Sequence, residues 1–164
     1  MTVRRVANVF SEEICARLIA LVKDASPEYE SFSGEIVDRV TVNVRWSEIP
    51  FFLYRLSYTE SKEFLDLLEP HLDGGVITSF RVMHYPVGSK IGKHVDGWVS
   101  EDGESNRGII VKLNDSYKGG ELIISKTLVD ANIGDAIFYD YTMPHEVKTI
   151  KDGERWVVNV RYKE

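Results

Sequence analysis

Apolar residues recur at helical spacing in two early stretches and then give way to short alternating runs. In the first stretch Ile14, Leu18, Leu21 and Val22 mark one helix face, because residues three and four apart stack on the same side. Ser11 ahead of Glu12 and Glu13 predicts the start, with acids at the positive end of the helix dipole, and Ser26-Pro27 predicts the stop. A second helix is predicted from roughly Thr59 to His71, with Phe64, Leu65, Leu67 and Leu68 as its apolar face. Asp73-Gly74-Gly75 ends it. Between the helices, Val40, Val42, Val44 and Trp46 alternate with Thr41, Asn43 and Arg45, the period-two pattern of a half-buried strand.

From Val76 onward the pattern is one of short strands punctuated by glycine. The runs are 76–85, 108–113, 121–125, 136–139, 145–150 and 155–162. Turn signals separate them at Pro86-Val87-Gly88, Gly119-Gly120, Ile133-Gly134-Asp135 and Asp152-Gly153. Strands at such spacing predict a sandwich or barrel. The class is therefore mainly β with N-terminal helices (α+β), read as one domain over 1–164. Residues 1–75 supply the helices and a supporting strand, and 76–164 the core. The most polar interruption, Gly97–Arg107, reads as a loop beside whatever site the chain carries.

Bulk properties narrow the classes. The chain has 164 residues, 43% hydrophobic and 28% charged, as expected of a globular protein. A formal net charge of −6 leaves no basic surplus for a phosphate backbone, which argues against nucleic acid as the general partner. One cysteine, Cys15, excludes an internal disulfide and fits a reducing compartment. The N-terminus lacks the apolar core of a signal peptide, and no run approaches the ~18 apolar residues of a membrane span. A cytoplasmic, membrane-free protein is expected.

The candidate chemistry lies in three places: His94-Val95-Asp96, His145 and Arg155. Two histidines and one carboxylate are the ligand set that holds non-haem Fe(II) by one face, leaving positions open for substrate and oxygen. Residues two apart on a strand point the same way, so His94 and Asp96 can reach one ion. Alone, His-x-Asp is equally the pattern of two polar side chains on a solvated face. Arg155 suits a carboxylate-bearing cosubstrate better than it suits the metal.

The turn after His145 supplies a condition. A two-residue hairpin at Asp152-Gly153 would put His145 and Arg155 on opposite faces. A three-residue loop, Lys151 to Gly153 with Gly153 left-handed and a bulge, pairs Thr149 with Arg155 instead. His145, Val147, Thr149, Arg155, Val157, Asn159 and Arg161 would then share a face. One cavity for His145 and Arg155 thus predicts the bulged turn.

These residues resemble the Fe(II)/2-oxoglutarate-dependent oxygenases, in particular the prolyl 4-hydroxylase-like branch. The likeness is carried by Arg81-Val82-Met83-His84-Tyr85-Pro86-Val87-Gly88 leading to His94-Val95-Asp96, and by Leu113-Asn114 with Tyr117-Lys118-Gly119-Gly120-Glu121-Leu122. It continues through Gly134-Asp135-Ala136-Ile137-Phe138, His145-Glu146-Val147 and Gly153-Glu154-Arg155-Trp156. The resemblance implies a double-stranded β-helix, or jelly roll, over 76–164, braced by the helices. It implies Fe(II) on His94, Asp96 and His145, and 2-oxoglutarate on Arg155 aided by the Tyr85 hydroxyl, with no catalytic residue beyond the metal ligands. O2 is the implied cosubstrate and ascorbate a candidate reductant. The implied activity decarboxylates 2-oxoglutarate to succinate and CO2 while hydroxylating an unactivated C–H bond, with peptidyl proline as the leading substrate. A free amino acid or another protein side chain stays open.

Two departures bear on the substrate. Collagen-type prolyl hydroxylases usually carry lysine where this chain has Arg155, and often tryptophan where it has Arg161. Arg155 and Arg161 together spell an R-x5-R pattern resembling AlkB-type nucleic-acid demethylases, with Arg161 a second candidate for the cosubstrate. The acidic charge and the lack of a basic, aromatic nucleotide lid argue against that activity. A non-catalytic jelly-roll binding module is the remaining class; intact ligands and anchor argue against it. Arg81, Trp98 and Arg45 are the candidate substrate contacts, with Asn43 and Trp46 beside the entrance. His84 and Trp156 are read as structural, on the far face of their strands.

Overall fold

The computed structural model describes residues 3–96 and 106–164. Trp98, and the Gly97–Arg107 stretch apart from its last two positions, lie outside the described residues. The elements run β1 (Arg4–Val6), α1 (Glu12–Asp24), β2 (Glu28–Glu30), β3 (Ile36–Asp38), β4 (Val40–Asn43), β5 (Phe51–Leu56) and α2 (Tyr58–Leu68). A 3₁₀ turn (Glu69–His71) precedes β6 (Val76–Tyr85), β7 (Ile91–His94), β8 (Arg107–Lys112), β9 (Tyr117–Gly119) and β10 (Leu122–Ile124). The order closes with β11 (Thr127–Leu128), β12 (Ala136–Asp140), β13 (His145–Val147), β14 (Ile150–Gly153) and β15 (Arg155–Lys163). No described helix is long and apolar enough to cross a membrane.

The strands form a seven-stranded sheet in the order β1-β12-β8-β15-β6-β5-β4 and a four-stranded sheet β11-β10-β13-β7. The described ladders are antiparallel. Both helices pack on the outer face of the larger sheet. Leu18, Val22, Phe64 and Leu68 meet Phe80, Val82, Ile109, Val158 and Val160 in one core. The opposite face meets the smaller sheet in a second core that includes Met83, Tyr85, Ile110, Leu122, Val147 and Val157. This is the expected jelly roll braced by helices.

Local chemistry explains the helix ends. The Ser11 hydroxyl accepts from the Ile14 N–H to start α1. The Ser57 hydroxyl accepts from the Glu60 N–H while the Glu60 carboxylate accepts from the Ser57 N–H, so α2 opens on a reciprocal capping box. Glu60 also holds Arg39, whose guanidinium donates to the Ser26, Glu28 and Arg55 carbonyls. Arg39, with only 3% of its surface exposed, thus ties α2 to the β2–β4 region.

Two expectations are corrected. His145 and Arg155 are not on one hairpin: β13 pairs with β10 and β7 in the smaller sheet, and β15 with β6 and β8 in the larger. Between them, β14 pairs with β9, so Thr149 does not pair with Arg155. Gly153 is left-handed, with φ of 70°, but a Cβ there would lie 2.2 Å from the Ser116 carbonyl oxygen. Close approach to β9 therefore requires glycine as much as the turn does. The second correction concerns β4. Val40, Val42 and Val44 are exposed, whereas Thr41, Asn43 and Arg45 line the central cavity. The alternation is present, but neither side is buried: Thr41 and Arg45 are exposed as well, and it is the polar side that borders the cavity.

Candidate active site between the two sheets

The inner faces of the two sheets enclose a cavity of about 280 Å³. β7 and the residues following it bring His94 and Asp96 to it, β13 brings His145, and β6 and β15 bring Tyr85 and Arg155. His145 and His94 are cross-strand partners on adjacent strands, a pairing that sets side chains about 5 Å apart on one face.

The candidate ligand atoms of His94, Asp96 and His145 all lie within 4.8 Å of one another. Each imidazole Nε2 is 3.2 Å from the Asp96 carboxylate. The other ring nitrogen of each is committed: His94 Nδ1 donates to the Gly92 carbonyl at 2.7 Å, and His145 Nδ1 to the Met143 carbonyl at 3.0 Å. A carbonyl only accepts, so each Nδ1 carries a proton and Nε2 is the nitrogen turned toward Asp96. That is the orientation a metal-binding histidine needs. Burial would raise the Asp96 carboxyl, yet the hydrogen bonds from His145 and His94 outweigh it and hold the group ionised well below the usual carboxylate range. Two imidazole nitrogens and one carboxylate, converging from three positions, fit Fe(II) with open coordination sites.

A polar chain runs outward from Asp96. The Tyr139 hydroxyl donates to Asp96 Oδ2 at 3.3 Å, Asn159 Nδ2 donates to the Tyr139 oxygen at 3.3 Å, and Arg81 Nη2 donates to Asn159 Oδ1. Gly108 makes room for it: a Cβ there would sit 2.5 Å from the Tyr139 ring. Burial and the Asp96 charge push the Tyr139 phenol far above its ordinary value, so it stays a neutral donor.

Toward the other end of the cavity, Phe51 stacks on Tyr85 with ring centroids 5.0 Å apart, and the Arg155 guanidinium lies 4.9 Å from the Tyr85 ring centre. Burial drives the Tyr85 phenol up to about 12, with Arg155 pulling it part of the way back. Arg155 is 3% exposed, and its Nε and Nη1 have no hydrogen-bond partner among the described residues. Buried donors left unpaired are costly. Unpaired donors on a buried guanidinium suit an anion, so the residues present fit an anionic cosubstrate. Arg155 also bounds a second cavity of about 420 Å³ with Lys112, Tyr117 and Leu128.

Most of the sequence-predicted residues meet here. His94, Asp96, His145, Tyr85, Arg155, Arg161, Arg81 and Arg45 all line the one cavity. Arg45 lies over the Trp46 ring at 4.5 Å, and Trp46 packs against His94 at 5.6 Å between ring centres. His84 and Trp156 are on the other face, stacked at 4.0 Å, with Glu154 3.0 Å from His84 Nε2. Tyr139, Arg55 and Phe51 also line the cavity and were not singled out from the sequence. Tyr139 joins them through the sheet register, since Tyr139 pairs with Gly108 and Gly108 with Arg161.

The family profile of the 2OG-Fe(II) oxygenase superfamily matches residues 80–163. A PKHD-type hydroxylase of Prochlorococcus marinus (strain MIT 9515) is 34% identical over 85 residues, and one from strain MIT 9312 is 39% identical over 72. These matches take in 48% and 40% of this chain but only 36% and 33% of the relatives' own lengths. Among solved structures, a 2OG-Fe(II) oxygenase-family oxidoreductase from Burkholderia pseudomallei superposes with a TM-score of 0.73 at 17% identity, over 98% of this chain and 85% of the other. The viral collagen prolyl hydroxylase of Paramecium Bursaria Chlorella virus-1, in its 2OG complex, gives 0.70 at 17% identity over 99% and 95%. Those two establish the shared fold. With the family profile covering half the sequence, the chain belongs to the 2OG-Fe(II) oxygenase superfamily.

Proposed function

We propose that the protein is a Fe(II)- and 2-oxoglutarate-dependent dioxygenase that hydroxylates an unactivated C–H bond, with peptidyl proline as the leading substrate. One observation carries the reading. The three-residue ligand set and an arginine with two unpaired buried donors open onto the same cavity. The hydroxylase names of the sequence relatives support the reaction class. The prolyl hydroxylase folds among the structural neighbours are compatible with the substrate.

In this proposal His94, Asp96 and His145 hold the iron, and Arg155 with Tyr85 holds the distal carboxylate of 2-oxoglutarate. Bound there, iron and 2-oxoglutarate supply the oxidising chemistry, with succinate and CO2 as co-products. The chain's own residues contribute positioning. The Gly92 and Met143 carbonyls fix both imidazoles, and Tyr139 steadies Asp96 without competing for a proton. Arg155 fixes the direction from which the cosubstrate enters, since a bidentate guanidinium accepts a carboxylate in one plane. Phe51 and Tyr85 exclude water around that carboxylate, which strengthens the ion pair.

The test is addition of Fe(II) and 2-oxoglutarate without oxygen. A visible charge-transfer band is expected, and it should vanish in His94→Ala. No band in the native protein, or an unchanged band in the variant, would overturn the site. Succinate release with a proline-rich peptide, compared with methylated single-stranded DNA, then separates a hydroxylase from a nucleic-acid demethylase.

A further inference from the structure

We propose that the substrate carries an anionic group, a carboxylate or a phosphate, received by Arg81 and Arg161 on the opposite side of the metal site from Arg155. The inference rests on the oxygenase reading above and names the class of substrate it would take.

The described cavity wall contains five arginines, at 45, 55, 81, 155 and 161, against a single carboxylate, Asp96. That imbalance occurs in a chain whose formal net charge is −6. Asp96 is engaged by two histidines and a tyrosine, and Arg155 answers the cosubstrate. The other four, Arg45, Arg55, Arg81 and Arg161, line the same cavity. Low-dielectric walls focus the field of such a cluster on whatever enters.

The sheet register gathers three of them. Arg55 pairs with Arg81 across β5 and β6, and Arg81 with Asn159 across β6 and β15. Arg161 follows Asn159 by two residues and so faces the same side. Arg55, Arg81 and Arg161 therefore form an arc over neighbouring strands. Tyr85, the partner of Arg155, is four strand residues from Arg81, roughly 13 Å. Arg155 and Arg161 are six apart on one strand, about 20 Å. A five-carbon diacid seated on Arg155 and the metal leaves the arc for a second anion.

Arg161 is the most telling member. Its Nε and Nη1 are buried without a hydrogen-bond partner among the described residues. Its guanidinium lies 5.6 Å from the Tyr141 ring centre, and it forms no ion pair among the described residues. An aromatic face orients the guanidinium plane but leaves its N–H edge for an in-plane acceptor. Tyr141 is in turn tied to the ligand segment, because its carbonyl accepts from the Asp96 N–H at 3.2 Å. An anion on Arg161 would thus be placed beside the metal. Arg81 is set by its bond to Asn159, at the outer end of the polar chain that reaches Asp96. Planar carboxylates and phosphates are the groups an arginine fork matches.

The test titrates protein loaded with Mn(II) and 2-oxoglutarate, which does not turn over, with blocked single residues: N-acetyl-aspartate amide, N-acetyl-asparagine amide and N-acetyl-phosphoserine amide. None contains proline, so the result does not depend on the leading substrate. At least about tenfold tighter binding of an acidic probe than of the asparagine probe is expected. Tighter aspartate assigns a carboxylate and tighter phosphoserine a phosphate. The preference should be lost in Arg161→Gln and partly recovered in Arg161→Lys. Equal affinities, no binding by any probe, or a preference that survives both Arg161→Gln and Arg81→Gln would overturn the proposal. The anaerobic Fe(II)–2-oxoglutarate band is read on the same proteins. A native protein without the band sinks the oxygenase reading, whereas an intact band without charge preference sinks only this one.

Discussion

The two faces of β15 hold different chemistry on one backbone. Toward the helices it presents Trp156, Val158, Val160 and Tyr162, buried in an apolar core with Phe64, Phe80 and Val82. Toward the smaller sheet it presents Arg155, Val157, Asn159 and Arg161, all lining the cavity. The first face contributes burial free energy, about 25 cal/mol for each Å² removed from water. The second buries guanidinium donors without partners among the described residues, and such donors oppose folding unless something satisfies them. Stability and function are therefore separable here by the parity of a residue.

The sharpest test of that separation is Asp96→Ala. It removes one of three candidate ligands and the carboxylate that both imidazoles face. Metal affinity should fall by more than the roughly 10- to 100-fold typical of an outer-shell change, and the charge-transfer band should be lost, with the melting temperature nearly unchanged. Next in size is the opposite face. Phe64, fully buried between Phe10 and Phe80 with ring centres 5.9 Å from each, should cost about 3–5 kcal/mol as Phe64→Ala in denaturant unfolding. The 2-oxoglutarate affinity of the protein that stays folded should not move. If it does, the two faces are coupled and the division fails.

A third test stays inside the cavity. Arg155→Gln removes charge and fork together, so the dissociation constant for 2-oxoglutarate should rise on the order of 100-fold, read by calorimetry with Mn(II) in place. Arg155→Lys keeps the charge but not the two-point geometry and should recover only part of that loss. Full recovery would show that Arg155 acts as a point charge and that its two unpaired donors are incidental.

What the sequence revealed follows from the range of each signal. Parity along β15 separates Trp156 from Arg155 correctly, because alternation is a property of one strand. The His94–Asp96 spacing and the Ser11 cap are equally local. The meeting of His145 and Arg155 is not. It comes from two sheets facing each other, whereas the hairpin reading assumed neighbours in sequence must pair. The β4 alternation shows the complementary gap: it tells which residues share a face, but not whether that face meets solvent or a polar cavity. β5 escaped altogether. Phe51 to Leu56 offers no clean alternation, because aromatic and aliphatic residues occupy both faces.

Charge alone does not assign a residue to the functional face, and Asp135 shows why. It is 1% exposed, yet it sits at the edge of the larger sheet, accepting from Arg5 Nε at 2.8 Å, the Asn8 N–H at 3.0 Å and the Asn132 N–H at 2.9 Å. Burial would raise its carboxyl, but the Asn132 and Asn8 amides and the Arg5 guanidinium outweigh burial and hold it below the usual carboxylate range. With the folded value below the unfolded one, near 3.9, its stabilisation is fully present above the unfolded value. It fades as pH falls through the folded value. Asp135→Asn should therefore cost roughly 2 kcal/mol at neutral pH and flatten the acid limb of the unfolding curve, leaving the 2-oxoglutarate affinity and the charge-transfer band as they were. A change in either would mean that the Arg5–Asp135 clasp on the N-terminal strand is felt inside the cavity.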